Sequence, residues 1–149
     1  MRVQELRDEQ TLARPIDEVF AFFARASNLA LLMPPELGFR LAASEPIELR
    51  AGALLEYRLR VHGIPLRWVA RIEEWEPNRT FVDRQLRGPY RLWLHRHSFD
   101  PVADGTLVRE HVRYALPFGR LGDLALPLVR RDLRRLFEFR AAELSRLLG

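Results

Sequence analysis

The sequence predicts an α+β domain in which one curved antiparallel sheet grips one long C-terminal helix. Three observations carry that prediction. From Phe39 to Leu116 apolar side chains recur at every second residue, the period of strands. The turns inside that stretch are short, which excludes parallel crossovers. After Pro117 the spacing changes to that of a helix. A sheet and a helix with one apolar face each bury those faces most simply against one another, although a flat sheet in a two-layer sandwich would satisfy the same pattern.

Each element can be justified in order. Residues Val3 to Leu12 alternate weakly and can extend. Pro15 followed by Asp17 and Glu18, with apolar Ile16, Val19, Phe20 and Phe23, marks a helix start. A second short helix is expected from Ser27, whose hydroxyl can cap it, and it stops before Pro34-Pro35. Strands follow. Leu55, Tyr57, Leu59 and Val61 alternate with Glu56, Arg58, Arg60 and His62, and Gly63-Ile64-Pro65 turns the chain into Trp68, Ala70 and Ile72. Turns at Glu76-Pro77-Asn78-Arg79, Gly88-Pro89 and Asp104-Gly105 separate strands from Thr80 to Arg87, Tyr90 to Phe99 and Thr106 to Ala115. Val129, Leu133, Leu136, Phe137, Ala141, Leu144 and Leu148 then form the stripe of a closing helix over Pro127 to Leu148.

Composition removes much chemistry. The chain has 149 residues, no Cys, and 24 basic side chains that are all Arg. Thiolate catalysis, disulfides, Schiff bases and a Lys-bearing phosphate loop are therefore excluded, and no cofactor is expected. The length suits one domain, residues 1–149, without repeats or linkers. The charge of +4 invites a nucleic-acid reading. Yet the Arg residues are spread from Arg2 to Arg146 among acids, and the cluster of Arg130, Arg131, Arg134 and Arg135 fits the wet side of a helix. Nucleic acid is not the expected partner. The N-terminal residues lack the apolar core of a signal peptide and no apolar run is long enough to span a membrane, so the expected location is the cytoplasm.

The densest chemistry lies between Asp83 and Phe99. On a strand, Trp93, His95, His97 and Phe99 share one face, and across the turn Phe81, Asp83 and Gln85 share another. Thr106, Val108, Glu110, Val112 and Tyr114 do the same one strand later. If these faces coincide, two His, two carboxylates, a Gln, a Tyr and a Trp converge among apolar neighbours, as in a pocket with a few orienting polar groups. Parity alone also permits the opposite face, Val82, Leu86, Leu92 and Leu94, to be the core. If it is not, that patch needs a cover, such as a second subunit in a homodimer. His95-x-His97 with Asp83 or Glu110 has the donor types for a divalent metal, but no third His stands nearby and no metal is expected. A Ser-His-Asp triad is poorly supported, since Ser98 points away from His97.

Four runs resemble a known family. They are Pro15 to Phe23, Pro34-Pro35-Glu36-Leu37-Gly38-Phe39, Gly63-Ile64-Pro65-Leu66-Arg67-Trp68, and Gly88-Pro89-Tyr90-x-x-Trp93-x-His95-x-His97-x-Phe99. They are similar to the cyclase/dehydrase-like branch of the START-like (SRPBCC) ligand-binding superfamily, over nearly the whole chain. The resemblance implies a helix-grip fold, a cavity between the concave sheet and the last helix, and an inward His face. The expected function is a binding or carrier module for a small, largely apolar or amphipathic molecule such as a lipid, polyketide, isoprenoid or aromatic. Tyr57, Trp68, Trp93 and Phe99 would wall the cavity, and Asp83, Gln85, His95, His97 and Glu110 would engage a polar end. The alternative is a cyclase or dehydratase in the same cavity, with His95 or His97 moving a proton, Asp83 or Glu110 orienting it and Tyr114 donating to an enolate. The apolar loops Pro34 to Phe39 and Pro117 to Gly122 suit a cavity mouth, or else plug the core.

Overall fold

A computed structural model describes residues 1–42 and 49–149; the part of the period-two stretch at 43–48 lies outside the described residues. The elements are β1 (Gln4–Leu12), α1 (Ile16–Phe23), two 3₁₀ turns (Ala26–Leu32 and Pro35–Leu37), β2 (Arg40–Leu41), β3 (Leu54–Val61), β4 (Ile64–Glu76), β5 (Thr80–Arg87), β6 (Leu92–Val102), β7 (Gly105–Ala115), α2 (Gly119–Asp123) and α3 (Leu126–Leu148). The strands form one antiparallel sheet in the order β1-β7-β6-β5-β4-β3-β2. From β3 to β7 this is a meander. Only β1 joins out of sequence, pairing with β7 along its whole length.

β4 is irregular against β5 at two points, Val69/Ala70 and Ile72/Glu74. Its register against β5 shifts between Ile72 and Glu74, so two residues on β4 meet one on β5. Such a bulge reverses side-chain parity. It returns Trp75 to the inner side, where its ring meets Phe20 and Phe81. The inner face packs α1, with Phe20 and Phe23 against Phe99, and α3, through Leu133, Phe137 and Leu144. Alternation along β6 and β7 is strict: Trp93, His95, His97 and Phe99 are buried, as are Thr106, Val108, Glu110, Val112 and Tyr114.

Three local expectations need correction. The helix after α1 is 3₁₀ in geometry, begins at Ala26 and is preceded by Arg25 without a side-chain cap, so Ser27 does not cap it. Pro15 stands just before α1 with an extended ψ of 151°, because its ring allows the entry φ but its successor takes the first helical position. The loop after Pro117 contains the short helix α2, which follows Phe118 in a left-handed conformation with φ 68°. Among the described residues no helix is long and apolar enough to cross a membrane.

Candidate functional site

Register builds the site. Asp8, Glu110, His97, Phe81 and Trp75 stand opposite one another on β1, β7, β6, β5 and β4. The adjoining row is Leu6, Val112, His95, Asp83 and Ile72. Cross-strand neighbours on one face lie within side-chain reach, so the two His and the carboxylates on either side of them must meet. They do so under α3. His97 Nε2 is 3.0 Å from Asp83 Oδ2, and His97 Nδ1 is 3.5 Å from Glu110 Oε1. His95 Nδ1 is 3.9 Å from Asp83 Oδ2, and its Nε2 is 3.8 Å from Glu110 Oε2. From the helix, Arg140 donates to Glu110 at 2.5 Å and lies 5.5 Å from the centre of the Phe137 ring. His95 and His97 are 6% and 2% exposed, which makes the His face the buried one.

Charge in such a place must be matched. Burial alone would raise the Glu110 carboxyl, but the Arg140 charge and the His97 contact hold it well below the usual carboxylate range. Burial also opposes the Asp83 charge, yet the His97 hydrogen bond and the neighbouring cations keep that carboxyl low. His97 is raised: burial works against its proton, and the hydrogen bonds and negative fields of Asp83 and Glu110 outweigh it. His95 is pushed down to about 3 by burial, with the charge on His97 adding to it. The carboxylates of Asp83 and Glu110 are thus held in their charged forms beside Arg140, and of the two rings His97 is the one whose protonated form is favoured.

The same side chains are of metal-ligating type, and donor atoms of Asp83, His95 and His97 lie within 4.8 Å of one another. The two rings are stacked, with centroids 3.8 Å apart and planes at 24°, and His97 Nε2 is already hydrogen-bonded to Asp83.

Beside the cluster lies a cavity of about 770 Å³ between the sheet and α3. Six of the ten residues expected at the site line it: Tyr57, Trp68, Asp83, Trp93, His95 and His97. The structure places the other four elsewhere, and each has a physical reason. Gln85 is turned to the β5–β6 turn, where its amide donates to the Tyr90 carbonyl and accepts from the Tyr90 N–H. Phe99 is packed below the cavity against Phe20 and Phe23. Glu110 lies behind the His pair, engaged by Arg140. Tyr114 lines a separate cleft of about 530 Å³ between β1 and α3, with Asp8, Arg130 and Arg134.

Sequence reasoning missed Arg140, the cation that completes the cluster. The signal was present: Leu133, Phe137, Arg140 and Leu144 lie on one buried stripe of α3, and an Arg there needs a buried acid. Tyr90, edge-on to Trp68 and tilted against Trp93 on the cavity wall, was also missed. At the outer end both apolar loops line the cavity. Phe118 does not plug the core, being 79% exposed. Two polar contacts tie cavity-lining residues to α3: His62 at the β3–β4 turn hydrogen-bonds Asp132 at 2.8 Å, and Glu36 pairs with Arg135.

The family model described as polyketide cyclase / dehydrase and lipid transport matches residues 3–149. The chain belongs to that family. Solved structures share the fold at low identity. The Zhui aromatase/cyclase of a Streptomyces species superposes with a TM-score of 0.76 at 17% identity, covering 95% of this chain and 91% of that one. A START superfamily protein from Mycobacterium smegmatis gives 0.69 at 12% identity, over 96% and 98%. A Thermus thermophilus protein gives 0.68 at 23% identity, over 96% and 95%. No curated protein matches the chain. The curved seven-stranded sheet around α3 is thus the helix-grip fold of this family.

Proposed function

We propose that this family member binds a small, largely apolar molecule in the cavity between its sheet and α3. The observation that carries the reading is the cavity: about 770 Å³, walled largely by aromatic and aliphatic side chains, with Asp83, His95, His97 and Arg140 among its buried polar lining and other charged side chains, such as Glu36 and Asp132, also lining it. That is the size and make-up of a small-molecule site. The family's description as polyketide cyclase / dehydrase and lipid transport supports the same class of ligand. Native mass spectrometry of the purified protein tests it. An added mass that is released on unfolding and partitions into organic solvent is expected. A protein that carries no such mass and takes up no apolar fluorescent probe would overturn the reading.

A second reading is favoured by one specific feature. The hydrogen-bonded Asp83–His97 pair beside a neutral His95 can hold and accept a proton within one wall of the cavity. General acid–base turnover would use it, and a neighbour of the same fold is an aromatase/cyclase. A bound molecule that loses the mass of one water on standing, and does so about 10²–10⁴-fold more slowly in His95→Gln, would establish turnover. Loss at the same rate in the variant would remove it.

A further inference from the structure

His95 and His97 are two residues apart on β6 and share its inner face, and Asp83 stands opposite His95 on β5. Each imidazole spans the gap between two carboxylates. One nitrogen of each ring is turned to Asp83 Oδ2, His97 Nε2 at 3.0 Å and His95 Nδ1 at 3.9 Å. The other is turned to Glu110, His97 Nδ1 at 3.5 Å from Oε1 and His95 Nε2 at 3.8 Å from Oε2. Both outer nitrogens are buried without a hydrogen-bond partner among the described residues, and they flank the acid that Arg140 engages from α3. Where the sequence lacks a third His, strand register brings a carboxylate to the same point.

Two ring nitrogens and a carboxylate oxygen on one side, with an acceptor behind both rings, is the arrangement that metal ligation uses. Ligands about 2.0–2.2 Å from a tetrahedral ion stand roughly 3.3–3.5 Å apart. The two spacings to Asp83 Oδ2 bracket that separation, and the three donor atoms lie within 4.8 Å of one another. Closure onto an ion therefore takes shifts of about an ångström. Rotation of an imidazole about its Cβ–Cγ bond is soft, which lets the stacked rings fan toward one point. The ion takes the place of the proton between His97 Nε2 and Asp83, and that proton leaves to solvent. Each ring then directs its remaining N–H at Glu110. Asp8 stands opposite Glu110 on β1, so three carboxyl groups, Asp8, Asp83 and Glu110, surround one guanidinium, Arg140, and the acids outnumber it. Asp83, His95 and His97 all line the cavity, which leaves the other positions of the ion open to a bound molecule.

We infer that Asp83, His95 and His97 form a two-His, one-carboxylate site for a divalent transition-metal ion such as Zn²⁺ or Fe²⁺, with Glu110 as the acceptor behind both rings and Arg140 as its clamp. Imidazole donors favour these ions over Mg²⁺ and Ca²⁺, which take oxygen ligands. The site goes beyond the apolar-ligand reading and does not rest on it.

The test uses the full chain, freed of metal with EDTA and dialysed, near neutral pH. Zn²⁺ is titrated by calorimetry, and Co²⁺, its spectroscopic stand-in, by visible absorption. One ion per chain is expected, bound more tightly than about 10 μM. Co²⁺ should show the intense visible bands of a low-coordinate, nitrogen-ligated ion, and Mg²⁺ in about hundredfold excess should not compete. Asp83→Asn and His97→Gln should each weaken Zn²⁺ binding at least about 100-fold, and Glu110→Gln about 10–100-fold. Replacing the two other histidines together, His62→Ala with His111→Ala, should leave binding unchanged. That surface variant and the wild-type titrations decide the matter where a buried change prevents folding. No saturable binding of either ion would overturn the inference. Loss of binding in the surface variant would overturn it by moving the ion to the outside, as would undiminished binding in folded Asp83 and His97 variants. Equal competition by Mg²⁺ would overturn it in favour of a cation held by carboxylates alone. None of these outcomes alters the added apolar mass that tests the cavity, so the two readings fail separately.

Discussion

His95 and His97 are two residues apart, stacked on one another, and carry opposite pKa shifts. The protonated form of His97 is favoured by two neighbouring carboxylates, whereas that of His95, one register step along, is disfavoured by burial and by the charge on His97. The pair therefore sets a pH optimum for stability. A His raised in the folded state contributes stability below its unfolded value of 6.5, and that contribution is lost as pH rises through its folded value. A His lowered to about 3 acts oppositely: below 6.5 the unfolded chain takes up a proton that the fold refuses. Stability in urea should fall on both sides of about pH 6.5, the acid limb approaching about 1.4 kcal/mol per pH unit. His97→Gln should flatten the alkaline limb and His95→Gln the limb from 6.5 downward; a wild-type profile flat from pH 5 to 8 would contradict both assignments. The Arg140–Glu110 pair makes a second residue-scale prediction. Arg140→Met leaves an uncompensated buried acid and should cost about 3–5 kcal/mol, whereas Arg140→Met with Glu110→Leu should recover most of it. Equilibrium denaturation of the two variants measures the difference.

At the scale of elements, alternation made the strands legible and the β4 bulge interrupted it. Up to Ile72 parity assigns the inner face correctly, and beyond it the extra residue sends Trp75 inward where simple alternation would send Glu74. An inserted residue has no compositional signature, so it emerges from pairing with β5. Turns are more local. Gly105 opens β7 with φ 140°, and an added Cβ would lie 2.0 Å from the Leu12 backbone oxygen of β1. Gly63 has φ 78° with open space around it. Gly105→Ala should therefore force β1 from β7 and cost at least about 3 kcal/mol, against about 1 kcal/mol for Gly63→Ala. Thermal melts that show the two variants equally stable would refute the account of the β1–β7 junction.

For the whole molecule the decisive feature is a cavity whose inner end meets a buried His–carboxylate–Arg140 cluster and whose lining loops make exposed polar contacts to α3. His62–Asp132 and Glu36–Arg135 join two separate loops to α3. Exposed pairs add little to global stability, and these two link cavity-lining residues on separate loops to α3, so their expected effect is on exchange. Combining Asp132→Asn with Glu36→Gln should speed release of a bound apolar fluorophore severalfold while the melting temperature barely moves. Stopped-flow displacement checks this. An unchanged release rate would mean that the mouth lies elsewhere.

The succession of elements was determined by local physics and could be read from local pattern: a period of two, a change to helical spacing after Pro117, and turn residues between the strands. The buried face of β6 was half legible, since parity joined Trp93, His95, His97 and Phe99 but left both faces open, and family resemblance favoured the inner one. Depth was decided by the tertiary structure alone. Asp83 and Glu110 have similar chemistry and flank the same His pair, yet one opens on the cavity and the other is engaged behind it by Arg140. Tyr114 and Gln85 share the predicted face and reach a separate cleft and a turn. Periodicity reports which side of a strand a residue occupies. Where along that side the helix lies, and which arginine it brings, depends on packing between segments distant in sequence, and no short window of sequence contains that information.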